Sequence, residues 1–135
     1  MAYIDCFLAP VPRANRAAYE ALARLSWDVL KDHGALAVTE CWLDEGGPDA
    51  ASYHGADARQ PSEVYGTFMR AAGAREDETV VLSWVEWPDK AARDAGMAKV
   101  TLDPRMQFGD GPMVFDGARL VAGGFQPMLR RTAPG

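Results

Sequence analysis

Residues 77–87, DETVVLSWVEW, decide the fold because this apolar segment has no polar face. In a strand, Val80 and Trp84 would lie on one side of the backbone, while Val81 and Val85 would lie on the other. A strand that is apolar on both sides must be covered on both sides. The sequence therefore predicts a central strand in a sheet that is covered on both faces.

Two further strands and a long helix are predicted before this segment. Residues 2–10, AYIDCFLAP, alternate with a period of two, and residues 35–43, ALAVTECWL, do the same. Between them the period becomes helical over residues 13–33, and Gly34 is expected to end the helix in a left-handed conformation. The apolar stripe of this helix comprises Ala18, Leu22, Leu25 and Val29.

The second half of the chain begins with an irregular loop. Residues 44–73 are rich in Gly, Ala, Ser, Asp and Pro, although SEVYGTFMRAA favours a helical turn or two. Asp89 is placed to cap a second helix that ends at residues 103–104, Asp-Pro. Residues 113–129 are predicted to form a hairpin turned at residues 116–117, Asp-Gly, and its second arm is the fourth strand.

The order of elements predicts the fold class. Strand, helix, strand, loop, strand, helix and strand form an α+β chain of the ferredoxin-like split βαβ type, with two helices on one face of a four-stranded antiparallel sheet. The other face would be apolar and bare, so we expect a second copy to cover it and form a homodimer with a dimeric α+β barrel. Residues 1–130 are expected to form this single domain, and residues 131–135 a short tail.

Five segments of the chain match a known family: AYIDCFLAPVP at 2–12, HGALAVTEC at 33–41, DETVVLSW at 77–84, AKVTLDPRM at 98–106 and FDGARLVAGGF at 115–125. In these segments the chain resembles the YbaA-like family of bacterial proteins. The resemblance implies a dimeric α+β barrel and implies no established reaction. The stretch AASYHGADARQPS is longer than the resemblance predicts, so no role carries over to His54.

Composition excludes several classes of partner. The 14 Lys and Arg residues against 19 Asp and Glu residues give a net charge of −5, and no stretch concentrates the basic residues, so nucleic acid is not an expected partner. Apolar runs are far shorter than the roughly 20 residues of a membrane helix. Asp5 interrupts the first apolar segment, which argues against a signal peptide and favours a cytoplasmic protein whose Cys6 and Cys41 stay reduced.

A candidate pocket follows from the predicted faces of three strands. Asp5 and Glu40 are the candidate catalytic carboxylates, and desolvation and mutual repulsion would raise the pKa of at least one carboxylate in such a pocket. The alternative is a structural network in which these side chains meet Arg119 or Arg105. The residues expected to face the barrel interior as ligand-binding positions are Tyr3, Phe7, Val38, Trp42, Leu82, Trp84 and Glu86, with Arg119 as a possible partner.

His33 is the third candidate catalytic residue. Its helical phase points it toward the sheet at the end of the first helix, where the helix dipole favours a charged imidazole. A histidine in such a place is more often a satisfied cap or core residue. The sequence has no phosphate-binding glycine loop and no zinc-like spacing of His, Cys and carboxylates, so neither a cofactor nor a metal is predicted.

Two classes of function remain open from the sequence. One is a small enzyme that acts without a cofactor on a small organic molecule, with Asp5 or Glu40 as the base and Trp84 and Phe7 as an apolar wall. The other is a non-catalytic small-molecule-binding or stress-associated dimer. If a strained acid–base site is present, Asp5→Asn and Glu40→Gln are each expected to raise thermal stability.

Overall fold

A single antiparallel sheet organises the computed structural model, which describes residues 2–55, 58–109 and 111–135. The strands are β1 (Tyr3–Pro12), β2 (Ala37–Trp42), β3 (Glu78–Trp87) and β4 (Val121–Phe125). Their order is β2-β3-β1-β4, and each neighbouring pair is antiparallel. The α+β class is confirmed, and β1 and β3 occupy the centre of the sheet as predicted.

Two long helices pack against one side of the sheet. They are α1 (Arg16–Asp32) and α3 (Lys90–Leu102), and the short helix α2 (Phe68–Ala71) lies between them in sequence. Val29 of α1 and Val100 of α3 belong to one buried cluster with Val85 and Trp87 of β3. The helices therefore bury one face of the central strand. None of the helices in the described ranges is long and apolar enough to cross a membrane.

Local sequence signals set the ends and the positions of the helices. The Asp89 side chain accepts a hydrogen bond of 2.7 Å from the Ala92 amide, and Gly34, just after α1, has a φ of 107°. Gly96 allows α3 to approach the sheet, because a Cβ atom at this position would lie 2.5 Å from the Trp87 ring. Glycine is thus required where α3 meets the fully buried Trp87.

Among the irregular segments that the structure describes, the clear difference from the prediction lies at residues 113–120. The predicted loop at 44–73 contains a 3-10 turn at Ala50–Tyr53 and the short helix α2. The predicted hairpin at 113–129 is wrong, since residues 113–115 form no strand and only its second arm, β4, is one. The Asp116 side chain accepts from the Ala118 amide at 3.0 Å, which favours a 3-10 turn over a hairpin turn.

The faces predicted for strands one and two are reversed. Asp5 and Glu40 face the helices, because each finds a hydrogen-bond donor there: Arg93 of α3 for Asp5 and Tyr19 of α1 for Glu40. Alternation could not decide this, because both sides of β1 are largely apolar. The other members of the reversed set, which also lie on the helix side, are Tyr3, Phe7, Val38 and Trp42.

The opposite side of the sheet, hereafter the open face, is apolar and has no helix of the described chain packed over its middle. Val121 and Phe125 on this side are 54% and 58% exposed. One end of the face is covered by the chain itself, since Val80 is fully buried there. The open face carries Ile4, Cys6, Leu8, Leu82, Trp84, Val121 and Phe125, with Glu86 at its margin.

Candidate functional site

A cleft of about 550 Å³ separates helix α1 from the edge strand β2. One wall is the exposed side of α1, and the other is the helix-facing side of β2. The cleft combines apolar side chains with several charged ones, which is the composition of many small-molecule sites. The α1–β2 cleft is lined by Glu20, Ala23, Arg24, Trp27, Asp28, Val38 and Glu40.

Glu40 contributes a carboxyl group to the β2 wall of this cleft. Its carboxylate oxygen Oε1 accepts a hydrogen bond of 2.7 Å from the hydroxyl of Tyr19. Its cross-strand neighbour on β3 is Ser83, which is buried. Glu40 as a whole is exposed, while its Oε1 atom lies against the hydroxyl of the buried Tyr19. Burial raises the pKa of Glu40 above its usual value, and the Tyr19 and Ser83 hydroxyls only partly oppose this effect.

Tyr19 is held in a fixed orientation beside Glu40. Its ring centroid lies 5.3 Å from that of Trp42 and 5.8 Å from that of Phe115. Trp42 is fixed in turn, because its indole N–H donates to Glu20 at 2.8 Å and the Arg16 guanidinium lies 4.8 Å from its ring centroid. Burial, followed by the adjacent Glu40 carboxylate, raises the pKa of Tyr19 further above its usual value. The phenol is therefore a hydrogen-bond donor at neutral pH.

Asp5 has a different environment from Glu40. Its two carboxylate oxygens lie 3.1 and 3.0 Å from Nε of Arg93, and Oδ2 also accepts from the Trp87 indole at 3.1 Å. The residue is 4% exposed. Its ionic partner is Arg93, whereas the sequence suggested Arg119 or Arg105. Asp5 thus ties β1 to β3 and α3 in a buried network.

His33 reaches a carboxylate, but at the ends of two helices and outside the α1–β2 cleft. Its Nε2 lies 2.9 Å from Oδ2 of Asp103, which also accepts a hydrogen bond of 2.8 Å from Arg105. Arg105 donates as well to Asp32 at 3.0 Å, so the group joins the C-terminal ends of α1 and α3. The Arg105 guanidinium, followed by His33, lowers the pKa of Asp103 far below its usual value. This arrangement matches a satisfied histidine at a helix end.

Arg119 also forms a structural pair. It donates two hydrogen bonds of 2.8 Å to the carboxylate of Glu78, and a third to the carbonyl of Gly73. Glu78 is 5% exposed, and the Arg119 hydrogen bonds are the largest cause of its lowered pKa. The pair fastens the turn before β4 to the start of β3.

The structure divides the predicted site residues between the two faces of the sheet. Asp5, Glu40 and Trp84 do not share a cavity, because Trp84 lies on the open face with Leu82 and Glu86. Of the predicted catalytic residues, only Glu40 lines the α1–β2 cleft. Sequence reasoning missed Tyr19 as its partner. The available signal was a tyrosine beside the apolar stripe of α1, since a buried phenol needs a hydrogen-bond partner.

A second, smaller hollow of about 280 Å³ lies on the open face. Cys6 stands at its base, directly opposite Trp84 on β3 and Gly123 on β4. The Phe125 ring lies beside Gly123, 3.6 Å from where a Cβ atom of that residue would stand, and forms one wall of the hollow. This feature, named here the Cys6 hollow, is lined by Ile4, Cys6, Trp84 and Phe125. Within the described ranges, no group of three or more His, Cys, Asp or Glu residues is arranged to hold a metal ion.

Comparisons with known proteins place this chain in a family. The family described as "Protein of unknown function (DUF1428)" matches residues 2–117, which include β1, β2, β3 and the helices. The chain belongs to this family. It is 36% identical over 130 residues to the "Uncharacterized protein YbaA" of Escherichia coli (strain K12), covering 96% of this chain and 98% of that protein. The protein of the same description from Shigella flexneri gives the same values.

The family relationship confirms the resemblance found in the sequence. It also shows that the correspondence with YbaA extends over almost the whole of both chains and is not limited to a few motifs. Glu40 and Tyr19 both fall within the residues that match DUF1428. The descriptions of these relatives name no reaction, so the chemistry of the α1–β2 cleft must be argued from its geometry.

The environment of Asp5 predicts that Asp5→Asn destabilises the protein. The substitution removes the buried anionic partner of the Arg93 guanidinium and leaves only the exposed Asp94 at 3.2 Å, at a cost of about 2 kcal/mol in the free energy of unfolding. This reverses the stabilisation expected from the sequence alone. Urea unfolding followed by circular dichroism measures the change. Asp28→Asn, which alters an exposed carboxylate 3.3 Å from Lys31, is the matched control and should leave stability unchanged. Unchanged stability of Asp5→Asn would contradict the structural role.

The raised pKa of Glu40 predicts a pH-dependent cost to folding. Between the unfolded value of 4.5 and the higher folded value, the native state binds more protons than the unfolded state, so stability falls as pH rises through this interval. Glu40→Gln removes that contribution and should gain stability relative to the wild type as pH rises from about 4 to 8. Urea unfolding at several pH values measures the difference. The exposed Glu63→Gln is the control, and a difference independent of pH would show that Glu40 is not desolvated.

Proposed function

We propose that this chain is a cofactor-independent enzyme that moves a proton on a small organic molecule bound in the α1–β2 cleft, with Glu40 as the acid–base group. One observation carries the proposal. A carboxyl group of raised pKa, hydrogen-bonded to a tyrosine at 2.7 Å, lies in the wall of a cleft large enough for a small molecule. A carboxyl group that borders a cleft and has no cationic partner is suited to act as a general acid or base toward a bound molecule.

The partners of the neighbouring carboxylates support the choice of Glu40. Asp5 is buried, both of its carboxylate oxygens contact Arg93, and it does not line the cleft. Glu20 accepts from the Trp42 indole, which directs one of its oxygens away from the cleft. Glu40 has a hydroxyl group as its partner, so its charge is not neutralised and it retains an oxygen for a substrate.

The proposed step is a proton transfer without oxidation or reduction. The Glu40 carboxylate takes a proton from an acidic C–H bond of the substrate, and the electron pair of that bond remains on the substrate. The protonated Glu40 then returns the proton to a neighbouring carbon on the same face of the substrate while the double bond shifts, which gives isomerisation. Tyr19 donates a hydrogen bond to Glu40 and orients it, while Trp27 and Val38 provide apolar contact for the body of the substrate.

Solvent deuterium provides a test that does not require the substrate to be known. We expect the wild-type protein, incubated in D₂O with a small-molecule extract of Escherichia coli, to introduce carbon-bound deuterium into at least one compound. Mass spectrometry after return to H₂O detects this label, since deuterium on oxygen and nitrogen is washed out. Glu40→Gln should reduce the labelling rate by roughly 10²-fold or more, because the base is lost.

Glu20→Gln is the matched control, because it alters a carboxylate of the same cleft and should preserve the labelling. Tyr19→Phe should slow the labelling without abolishing it, because the phenol only orients the base. Equal labelling by the wild type and Glu40→Gln would overturn the assignment of Glu40. A compound that binds without label, and binds equally to both proteins, would favour the alternative of a non-catalytic small-molecule-binding dimer.

We also propose that the chain adopts the ferredoxin-like arrangement of a dimeric α+β barrel, with the open faces of two copies packed together. The strand order β2-β3-β1-β4 with α1 and α3 on one side supports the first part. The apolar open face supports the second, because soluble monomers rarely leave a continuous apolar patch of this kind in water.

Light scattering coupled to size exclusion at micromolar concentration tests the dimer. We expect about twice the chain mass of 14.6 kDa. Trp84→Arg should give a monomer or an unfolded chain, because it buries an unpaired charge between the sheets. Leu102→Arg is the matched control, since Leu102 is an apolar residue 80% exposed at the end of α3, away from the open face. A wild-type monomer would refute the barrel.

A further inference from the structure

We propose that the C-terminal tail, residues 126–135, exchanges between the two copies, so that Met128 and Leu129 of one chain cover the Cys6 hollow of its partner. This inference rests on the proposed dimer and adds to it a specific contact. The contact would close the open face at its centre. It would also make the tail part of the interface.

The tail leaves its own chain with apolar side chains in water. Met128 is 97% exposed and Leu129 is 66% exposed. Within the described tail, the side-chain hydrogen bond that is present joins Arg131 to the carbonyl of Arg130, and so does not tie the tail to the body of the protein. Exposing adjacent apolar side chains to water in this way costs free energy, and covering them recovers it.

The position of the tail directs these side chains to the open face. β4 ends at Phe125, which is itself a wall of the Cys6 hollow, and Met128 follows three residues later. An extended chain of three residues spans at most about 10 Å. Pro127 has no amide hydrogen, so it hinders extension of the β4 ladder. The tail therefore begins at the edge of the surface that the proposed dimer buries.

When two open faces pack together, an apolar side chain is required to fill the Cys6 hollow. The hollow lies beside Cys6 between Trp84 and Phe125, and a pair of facing sheets would enclose it within the interface. An apolar void forfeits packing contacts. Methionine is well suited to such a space, because its unbranched side chain adapts to irregular gaps.

Charge also favours the tail as the occupant. Arg130 and Arg131 directly follow Met128 and Leu129, and they would bring positive charge to a partner of net charge −5. The tail would therefore add an electrostatic attraction to the apolar contact.

The tail of a second copy, and not the chain's own tail, is the favoured cover for the Cys6 hollow. In the single chain Met128 is almost fully exposed, so it does not occupy the hollow of its own sheet. In a two-fold dimer each contact occurs twice, and each tail can reach the hollow of the other copy. Both hollows and both pairs of apolar side chains are then removed from water.

The double variant Met128→Ser/Leu129→Ser tests the inference in the full-length protein. We expect its dimer dissociation constant, from sedimentation velocity over a dilution series, to be at least tenfold higher than that of the wild type. In a Cys41→Ser background, we expect N-ethylmaleimide to alkylate Cys6 at least fivefold faster when the tail is altered. The matched control is a chain that ends at Arg131, which retains both apolar residues and should match the wild type in both measurements.

Photo-crosslinking identifies which chain provides the cover. With p-benzoylphenylalanine at position 128, we expect a crosslink to Ile4, Trp84 or a neighbouring open-face residue of a second, tagged copy. A crosslink within one chain would overturn the exchange. A wild-type dimer whose dissociation constant and Cys6 alkylation rate are unchanged in the double variant would overturn the inference and leave the proposed dimer intact. A wild-type monomer would overturn both.

Discussion

Strand β3 has apolar side chains on both of its faces, and both faces must be kept from water. Val85 and Trp87 are covered by α1 and α3, which places the two long helices on the same side of the sheet. Leu82 and Trp84 point to the other side, where the described chain provides only partial cover. The helix layer and the apolar open face are therefore two consequences of one strand's composition.

The two helix-side carboxylates show how environment separates residues of the same chemistry. Asp5 meets a guanidinium and an indole N–H, which stabilise its charge and make it part of the core. Glu40 meets a hydroxyl, which leaves the cost of desolvation only partly compensated. A difference of this kind distinguishes structural carboxylates from those suited to proton transfer. Because Glu40 also lines the α1–β2 cleft, a molecule bound there would contact its carboxyl group.

Much of the fold could be predicted from the sequence, because the signals that set it are local. The helix cap at Asp89, the left-handed Gly34 and the apolar period of β3 all lie within the elements that they specify. The facing of β1 and β2 depends on distant partners. Arg93 is 88 residues from Asp5, and Tyr19 is 21 residues from Glu40, so nothing in either strand reveals which side will provide a donor. Of the residues that line the α1–β2 cleft, Val38 and Glu40 were therefore the ones predicted.

The close packing around Gly96 restricts which residues can occupy position 96. Because no side chain fits between α3 and the Trp87 ring, a chain that keeps tryptophan at 87 must keep glycine at 96. A smaller residue at 87 would not relax that requirement, because a Cβ atom at 96 would also lie 2.5 Å from the carbonyl oxygen of His33. Such a residue would in addition remove the indole N–H that donates to Asp5. Positions 5 and 87 are thus coupled through a hydrogen bond, whereas a side chain at 96 is overpacked whichever residue stands at 87.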